Sequence, residues 1–328
     1  MAGIDNISGD NSISGGITLG AGGGTYKLQA DSGTLTLSAA LPYATPNTSR
    51  TITFAGAGNI SVAGGIQNGS LDATSASNIW VSVVQAGPGV LSLPVASTYS
   101  GTTTVSGGTM LLDGGSIGGG TVTVTGGLLA GNGGIAGPVM VQSTGAIEAG
   151  TTNTIGTLNF SSSLTLFGNT LVKINASNSA HDLFSGQTSV AYGGTLTVTN
   201  LAGTPATGST FTLFSPGASP GNFYSIVGSP GPGLAYSFTN GVLSVVTGIA
   251  SNPTNITFQV SGNTLTLTWP ADHLGWILQS QTNNLNVGLT AAASTWHDVS
   301  GSASVTSTNL TISRTNPTVF YRLRYPNP

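Results

Sequence analysis

The sequence predicts an all-β protein: a right-handed parallel β-solenoid followed by a small C-terminal β-sandwich. Three observations carry that prediction. Short stretches alternate apolar and polar residues, as in Thr34-Leu35-Thr36-Leu37, Thr51-Ile52-Thr53-Phe54, Trp80-Val81-Ser82-Val83 and Thr195-Leu196-Thr197-Val198, which is the period of strands with one buried face. Helix signals are nearly absent, because 50 Gly and 15 Pro in 328 residues leave no long window of apolar residues at helical spacing. Finally, the strands recur. Val105, Val124 and Val141 are 19 and 17 residues apart, and Gly108, Gly127 and Gly145 are 19 and 18 apart. Each pair brackets a strand, a glycine corner and a second strand. A rung of that length fits one turn of a coil in which strands stack on the next rung and build one continuous core. Gly108, Gly127 and Gly145 are therefore expected at equivalent corners. Antiparallel hairpins with Gly-rich turns fit the same strands and remain the alternative.

In chain order, residues 1–45 read as an N-terminal β segment. Its alternating stretch around Ile13, Ile17 and Leu19 is suited to adding a strand to a neighbour's sheet. Met1 to Asn6 has neither a basic nor an apolar signal-peptide region, so no signal peptide is expected there. Residues 46–248 read as the solenoid with a closing cap, in which Phe211, Phe214, Phe223, Tyr224 and Phe238 cover the open end. Residues 252–328 read as the sandwich, with strand candidates at 256–260, 264–269, 276–281, 295–299, 310–313 and 319–323. Its core is expected around Trp269, Trp276 and Trp296.

Within the central stretch, Gly87-Pro88-Gly89-Val90-Leu91-Ser92-Leu93 leads to Thr98-Tyr99-Ser100-Gly101 and then Thr102-Thr103-Thr104-Val105-Ser106-Gly107-Gly108-Thr109-Met110-Leu111. That order resembles the autotransporter-associated β-strand repeat, with Met110 where the family usually has Leu. The resemblance implies a secreted or surface-displayed bacterial solenoid passenger. The string from Val260 through Leu267-Thr268-Trp269-Pro270, Gly275-Trp276-Ile277 and Trp296 to Phe320-Tyr321-Arg322-Leu323 resembles the C-terminal module of large secreted bacterial repeat proteins.

Charge narrows the function. Lys, Arg, Asp and Glu make up only 5% of the chain, and none falls between residues 183 and 271, against about 25% in ordinary soluble proteins. Six scattered basic residues offer no stripe for nucleic acid, and no apolar run reaches the ~18 residues that span a bilayer. With no cysteine, disulfides and thiolate chemistry are out.

The three histidines each adjoin an aspartate, His181-Asp182, Asp272-His273 and His297-Asp298, and are expected in surface turns, since neighbours on a strand point to opposite faces. Between residues 73 and 172 only Asp113 and Glu148 are acidic, too few for the groove of a solenoid lyase or hydrolase. Gly22-Gly23-Gly24 and Gly118-Gly119-Gly120 lack the lysine of a phosphate loop and read as corners. No catalytic, cofactor or metal residues are therefore expected. The leading expectation is a non-enzymatic extracellular or cell-surface protein that associates with itself, head to tail, into a filament or layer. The alternative is a monomeric adhesin or polysaccharide-binding passenger.

Overall fold

The computed structural model describes residues 3–17, 19, 24–41, 49–68, 80–215, 221–231, 233–249, 254–270, 273–313, 315 and 318–325. Asp272 and the pair Gly22-Gly23 lie outside them. Among the described residues there is no α-helix; strands and turns are joined by short 3-10 segments such as Ala293–Thr295 and Ser302–Ser304. The chain divides into two compact units. One comprises Met1–Pro205, Ser209–Gly228 and Tyr236–Ser244, the other Ala206–Gly208, Ser229–Ala235 and Val245–Pro328.

In the first unit, successive strands alternate for most of its length between two large parallel sheets. The first sheet runs Ile4–Asn6, Thr25–Ala30, Arg50–Ala55, Val81–Gln85, Thr103–Val105, Val122–Val124, Val139–Val141, Leu164–Leu166 and Val190–Ala191. The second runs Asn11–Ile13, Thr34–Leu37, Asn59–Val62, Val90–Ser92, Thr109–Ile117, Leu128–Ile135, Ala146–Ala149, Asn169–Asn175, Thr195–Asn200 and Ser225–Val227. Strands of these two sheets therefore pair in parallel with the strand one repeat away, and only Asn169–Asn175 also pairs with its sequence neighbour among the described residues, which removes the antiparallel-hairpin alternative for the two sheets. Thr109–Ile117 and Leu128–Ile135 are long because they turn a corner. The register breaks between Asp113 and Ser116, then resumes at Ser116↔Gly134 and Ile117↔Ile135. From there a third parallel ladder continues through Ile135↔Phe160, Leu158↔Phe184 and Phe184↔Phe214.

Period-two alternation explains the core. In Val122–Val124 and Leu164–Leu166 the outer two residues are buried and the middle Thr is half-buried, so Val105, Val124, Val141 and Leu166 stack in register. On the second sheet Leu91, Met110, Leu129 and Ile147 form a matching column. Burial of each such side chain contributes about 1.5–3 kcal/mol. The repeat varies from 17 residues at Val122↔Val139 to 31 at Ile52↔Val83; the ladders hold their register while the connections absorb the difference. Residues 1–45 supply Ile4–Asn6, Asn11–Ile13, Thr25–Ala30 and Thr34–Leu37 to these same sheets.

The second unit is antiparallel. Thr257–Ser261, Thr264–Thr268 and Ser307–Thr311 form one sheet, and His297–Asp298, Ile277–Thr282 and Val319–Arg324 form another. The sheets share a core of Leu267, Trp269 and Leu278, against which Ile256, Leu265, Val299, Leu310, Tyr321 and Leu323 pack.

Candidate functional site

The corner glycines come first, because they show how closely the rungs approach. Leu128 N donates to Gly108 O at 2.9 Å, Ala146 N to Gly127 O at 2.9 Å and Asn169 N to Gly145 O at 3.0 Å. Gly108, Gly127 and Gly145 thus stand one above the other where the chain enters the second sheet. A Cβ on Gly127 would sit 2.8 Å from the carbonyl oxygens of Gly107 and Gly108. Gly108 also has a φ of +54°, which disfavours any other residue. Gly33, Gly58, Gly89, Gly168 and Gly194 belong to the same column by the same backbone approach. Unequal connections hide them from a fixed-period search.

At the N-terminal edge of the sheets, Ile4–Asn6 and Asn11–Ile13 are the outermost strands, each paired on one side among the described residues. Asn6 holds their connection: its Nδ2 donates to Gly9 O and Ser32 O, both at 3.0 Å, and its Oδ1 accepts from Asn11 Nδ2 at 2.6 Å. Ile4, Ile13 and Leu35 line an open depression there, with Asn6 and Ser8. Ile13 and Ile17 are half-buried, Leu19 is buried, and Ile7 is 74% exposed. This edge also carries the carboxylates of Asp5 and Asp10, the latter accepting from Thr34 N at 2.8 Å.

At the far end, Ser225–Val227 and Val190–Ala191 are the last strands of the two sheets. The interior beneath them is filled by rings. Phe214 stacks on Phe184 with centroids 4.9 Å apart, and Tyr192 meets Phe214 edge-on at 5.2 Å and Phe238 at 5.0 Å. Phe223 packs on Phe238 at 5.0 Å, while Phe211 lies against the His181 ring at 5.9 Å. Tyr224, expected in this cluster, is 83% exposed, in the bend between the buried Phe223 and the strand Ser225–Val227. Tyr192 takes the central place. Burial pushes its hydroxyl up to about 12, and the hydroxyl has no hydrogen-bond partner among the described residues.

Along the third ladder runs a shallow groove of about 430 Å³, lined by Ser97, Thr98, Ser116, Ile117, Asn159 and Ser161 among others. It has hydroxyl, amide and apolar groups and no charge.

The expected surface turn at His181-Asp182 is not what the chain forms. Asn169–Asn175 pairs antiparallel with Ala180–His181, a hairpin that folds Asp182 into the interior beside Lys173. The Lys173, Glu148 and Asp182 side chains are 2%, 7% and 0% exposed. Lys173 Nζ lies 2.7 Å from Glu148 Oε1, 2.9 Å from Asp182 Oδ2 and 2.9 Å from Ala149 O. Desolvation raises the Asp182 carboxyl above the ordinary carboxylate range, against the lowering effect of Lys173 and of backbone donors. The only sequence signal for this triad is that Glu148 and Lys173 are the sole charges in their strands, Ala146–Ala149 and Asn169–Asn175; Asp182, between two short strands, carries none.

In the second unit Trp269, Trp276 and Trp296 are buried. Trp296 Nε1 donates to Thr290 O at 3.0 Å, and the Arg322 guanidinium lies 4.1 Å from its ring centroid. His273 lies in a turn, as expected, with Trp276 N donating to its carbonyl at 3.0 Å, but it is buried, 4.9 Å from the Trp276 ring, and not at the surface. His297 and Asp298 are exposed. Asp298 accepts from Gln279 Nε2 at 2.7 Å and pairs with Arg324 at 3.2 Å.

Among the described residues no three His, Asp or Glu side chains gather as a metal site, and no helix is long and apolar enough to cross a membrane. Two large parallel sheets in the first unit, antiparallel sheets in the second and no α-helix among the described residues define the class of protein as all-β. Comparison with family models, curated proteins and solved structures finds no match to the chain.

Proposed function

We propose that the chain is a non-enzymatic structural protein of the bacterial exterior, a right-handed β-solenoid of the autotransporter-associated repeat type with a C-terminal β-sandwich. In this reading its copies associate head to tail into a filament or surface layer. The observation that carries it is a pair of unmatched edges in one sheet: Asn11–Ile13 at one end and Ser225–Val227 at the other each pair with a single neighbour among the described residues. Exposed parallel edges are templates for strand addition. A contact between two different edges is heterologous, so it propagates unless its rotation closes a ring. The carboxylates of Asp5 and Asp10 disfavour head-to-head contact, whereas the uncharged stretch from 183 to 271 offers a tail without repulsion.

The test is assembly by light scattering and negative-stain microscopy at two concentrations. Wild-type protein forms concentration-dependent fibres that persist at high salt. Ser12→Lys blocks the head edge and Val227→Lys the tail edge, so each variant alone stays monomeric while an equal mixture stops at pairs. A full-length protein that remains monomeric at high concentration overturns the reading.

The groove lined by Ser116, Asn159 and Ser161 favours a second reading, an adhesin that binds a neutral polysaccharide. Its check is polysaccharide binding by a monomeric preparation, lost in Asn159→Lys.

A further inference from the structure

Lys173, Glu148 and Asp182 place an amine, a carboxyl group and a second carboxyl group within reach of one another, away from water. Pairing of Ile174 with His181 makes Lys173 and Asp182 cross-strand neighbours, and Asp182 N donates to Lys173 O at 2.9 Å. Both oxygens of Asp182 are held: Oδ1 accepts from Gly156 N at 2.8 Å and Oδ2 from Lys173 N at 2.7 Å. Two carboxylates facing one ammonium leave an excess negative charge in a low-dielectric interior, which a proton on one acid removes. Burial favours Asp182 as that acid.

We propose that Lys173 and Asp182 become joined by an intramolecular amide bond that forms spontaneously in the folded chain, with Glu148 as the proton carrier. Glu148 takes one proton from the Lys173 ammonium. The freed lone pair on Nζ attacks Cγ of the protonated Asp182 carboxyl; charge develops on Oδ1, where the backbone N–H of Gly156 stabilises it, while Oδ2, held by Lys173 N, becomes the departing hydroxyl. A second proton passes from nitrogen to the departing hydroxyl, the C–O bond breaks, and water leaves. Lys173 ends as an amide nitrogen with one hydrogen, and Glu148 ends as a neutral acid. No oxidant or co-reactant enters. Fixed proximity in a dry site supplies the rate, as it does for intramolecular reactions generally. In a chain with no cysteine such a bond is a cross-link independent of redox conditions. It secures the hairpin at the point where the parallel ladder is interrupted.

The experiment is the intact mass of the full chain under denaturing conditions, followed by fragmentation. The expected mass is one water below that of the sequence, with a branched peptide joining residues 173 and 182. Asp182→Asn reaches the same cross-linked product by releasing ammonia, so its final mass equals that of the wild type. Glu148→Gln is expected to keep its full sequence mass. A wild-type chain with the full sequence mass after prolonged incubation in the folded state overturns the proposal, as does water loss mapped to any other residue. Cross-linking of Glu148→Gln as completely and as fast as the wild type overturns the role given to Glu148.

Discussion

Phe184 and Phe214 stack with their planes 13° from parallel and their centroids 4.9 Å apart, continuing a column that begins at Phe160. The partners come from sequence-distant strands that pair in register. Phe214→Ala therefore removes a ring touching Phe184, Tyr192, Phe223 and Phe238. The expected loss is about 3–5 kcal/mol, read as a lower denaturant midpoint with an unchanged slope.

Glycine at position 108 combines a positive φ with a neighbouring backbone that leaves no room for a Cβ, whereas Gly119 has nothing within 4 Å of the added atom. Gly108→Ala should cost roughly 2 kcal/mol or more, since neither the strain nor the backbone contact can relax freely. Gly119→Ala should be close to neutral. Equal stabilities of the two variants in thermal unfolding would contradict the column of closely approaching corners.

Thr170 is fully buried between Ile147 and Leu196 on the second sheet, and its hydroxyl has no partner among the described residues. A buried, unpaired hydroxyl costs about 1–3 kcal/mol. Thr170→Val keeps the shape and removes the polar atom, so it should stabilise the protein by about 1 kcal/mol and raise Tm by about 2–4 °C. Calorimetry decides the sign.

The Asp298 carboxyl is held below the ordinary carboxylate range, chiefly by the hydrogen bond from Gln279, which with help from Arg324 outweighs the opposing desolvation. A depressed folded-state pKa stabilises the folded form above the unfolded value of about 3.9, and that contribution disappears as pH falls through the lowered value. Acid titration followed by tryptophan fluorescence should therefore show a stability loss below about pH 4 that Asp298→Asn lacks. The same slope in wild type and variant would assign the loss to other carboxyl groups.

Much of the local structure was legible because alternation states directly which residues face inward. Thr264-Leu265-Thr266-Leu267-Thr268 is a strand in both readings, and the tryptophans of the second unit are buried. Direction of pairing was less legible. Val122–Val124 looks the same whether its neighbours run parallel or antiparallel, and only the recurrence of Val105, Val124 and Val141 and of Gly108, Gly127 and Gly145 argued for parallel rungs. Where the repeat lengthens, as between Ile52 and Val83, that signal is lost.

By itself, then, the sequence determined the all-β class, the inward residues of most strands and the scarcity of charge, because these follow from side-chain period and composition. It did not determine the fate of Asp182. Adjacent to a histidine and near a turn, that residue has every local sign of a surface position. Only the hairpin between Asn169–Asn175 and Ala180–His181 turns it inward to Lys173, and only the stacking of a rung 25 residues earlier brings Glu148 to the same amine. Burial of a charge is decided by which partners the tertiary fold delivers, since a carboxylate leaves water only where an ammonium and backbone donors replace it.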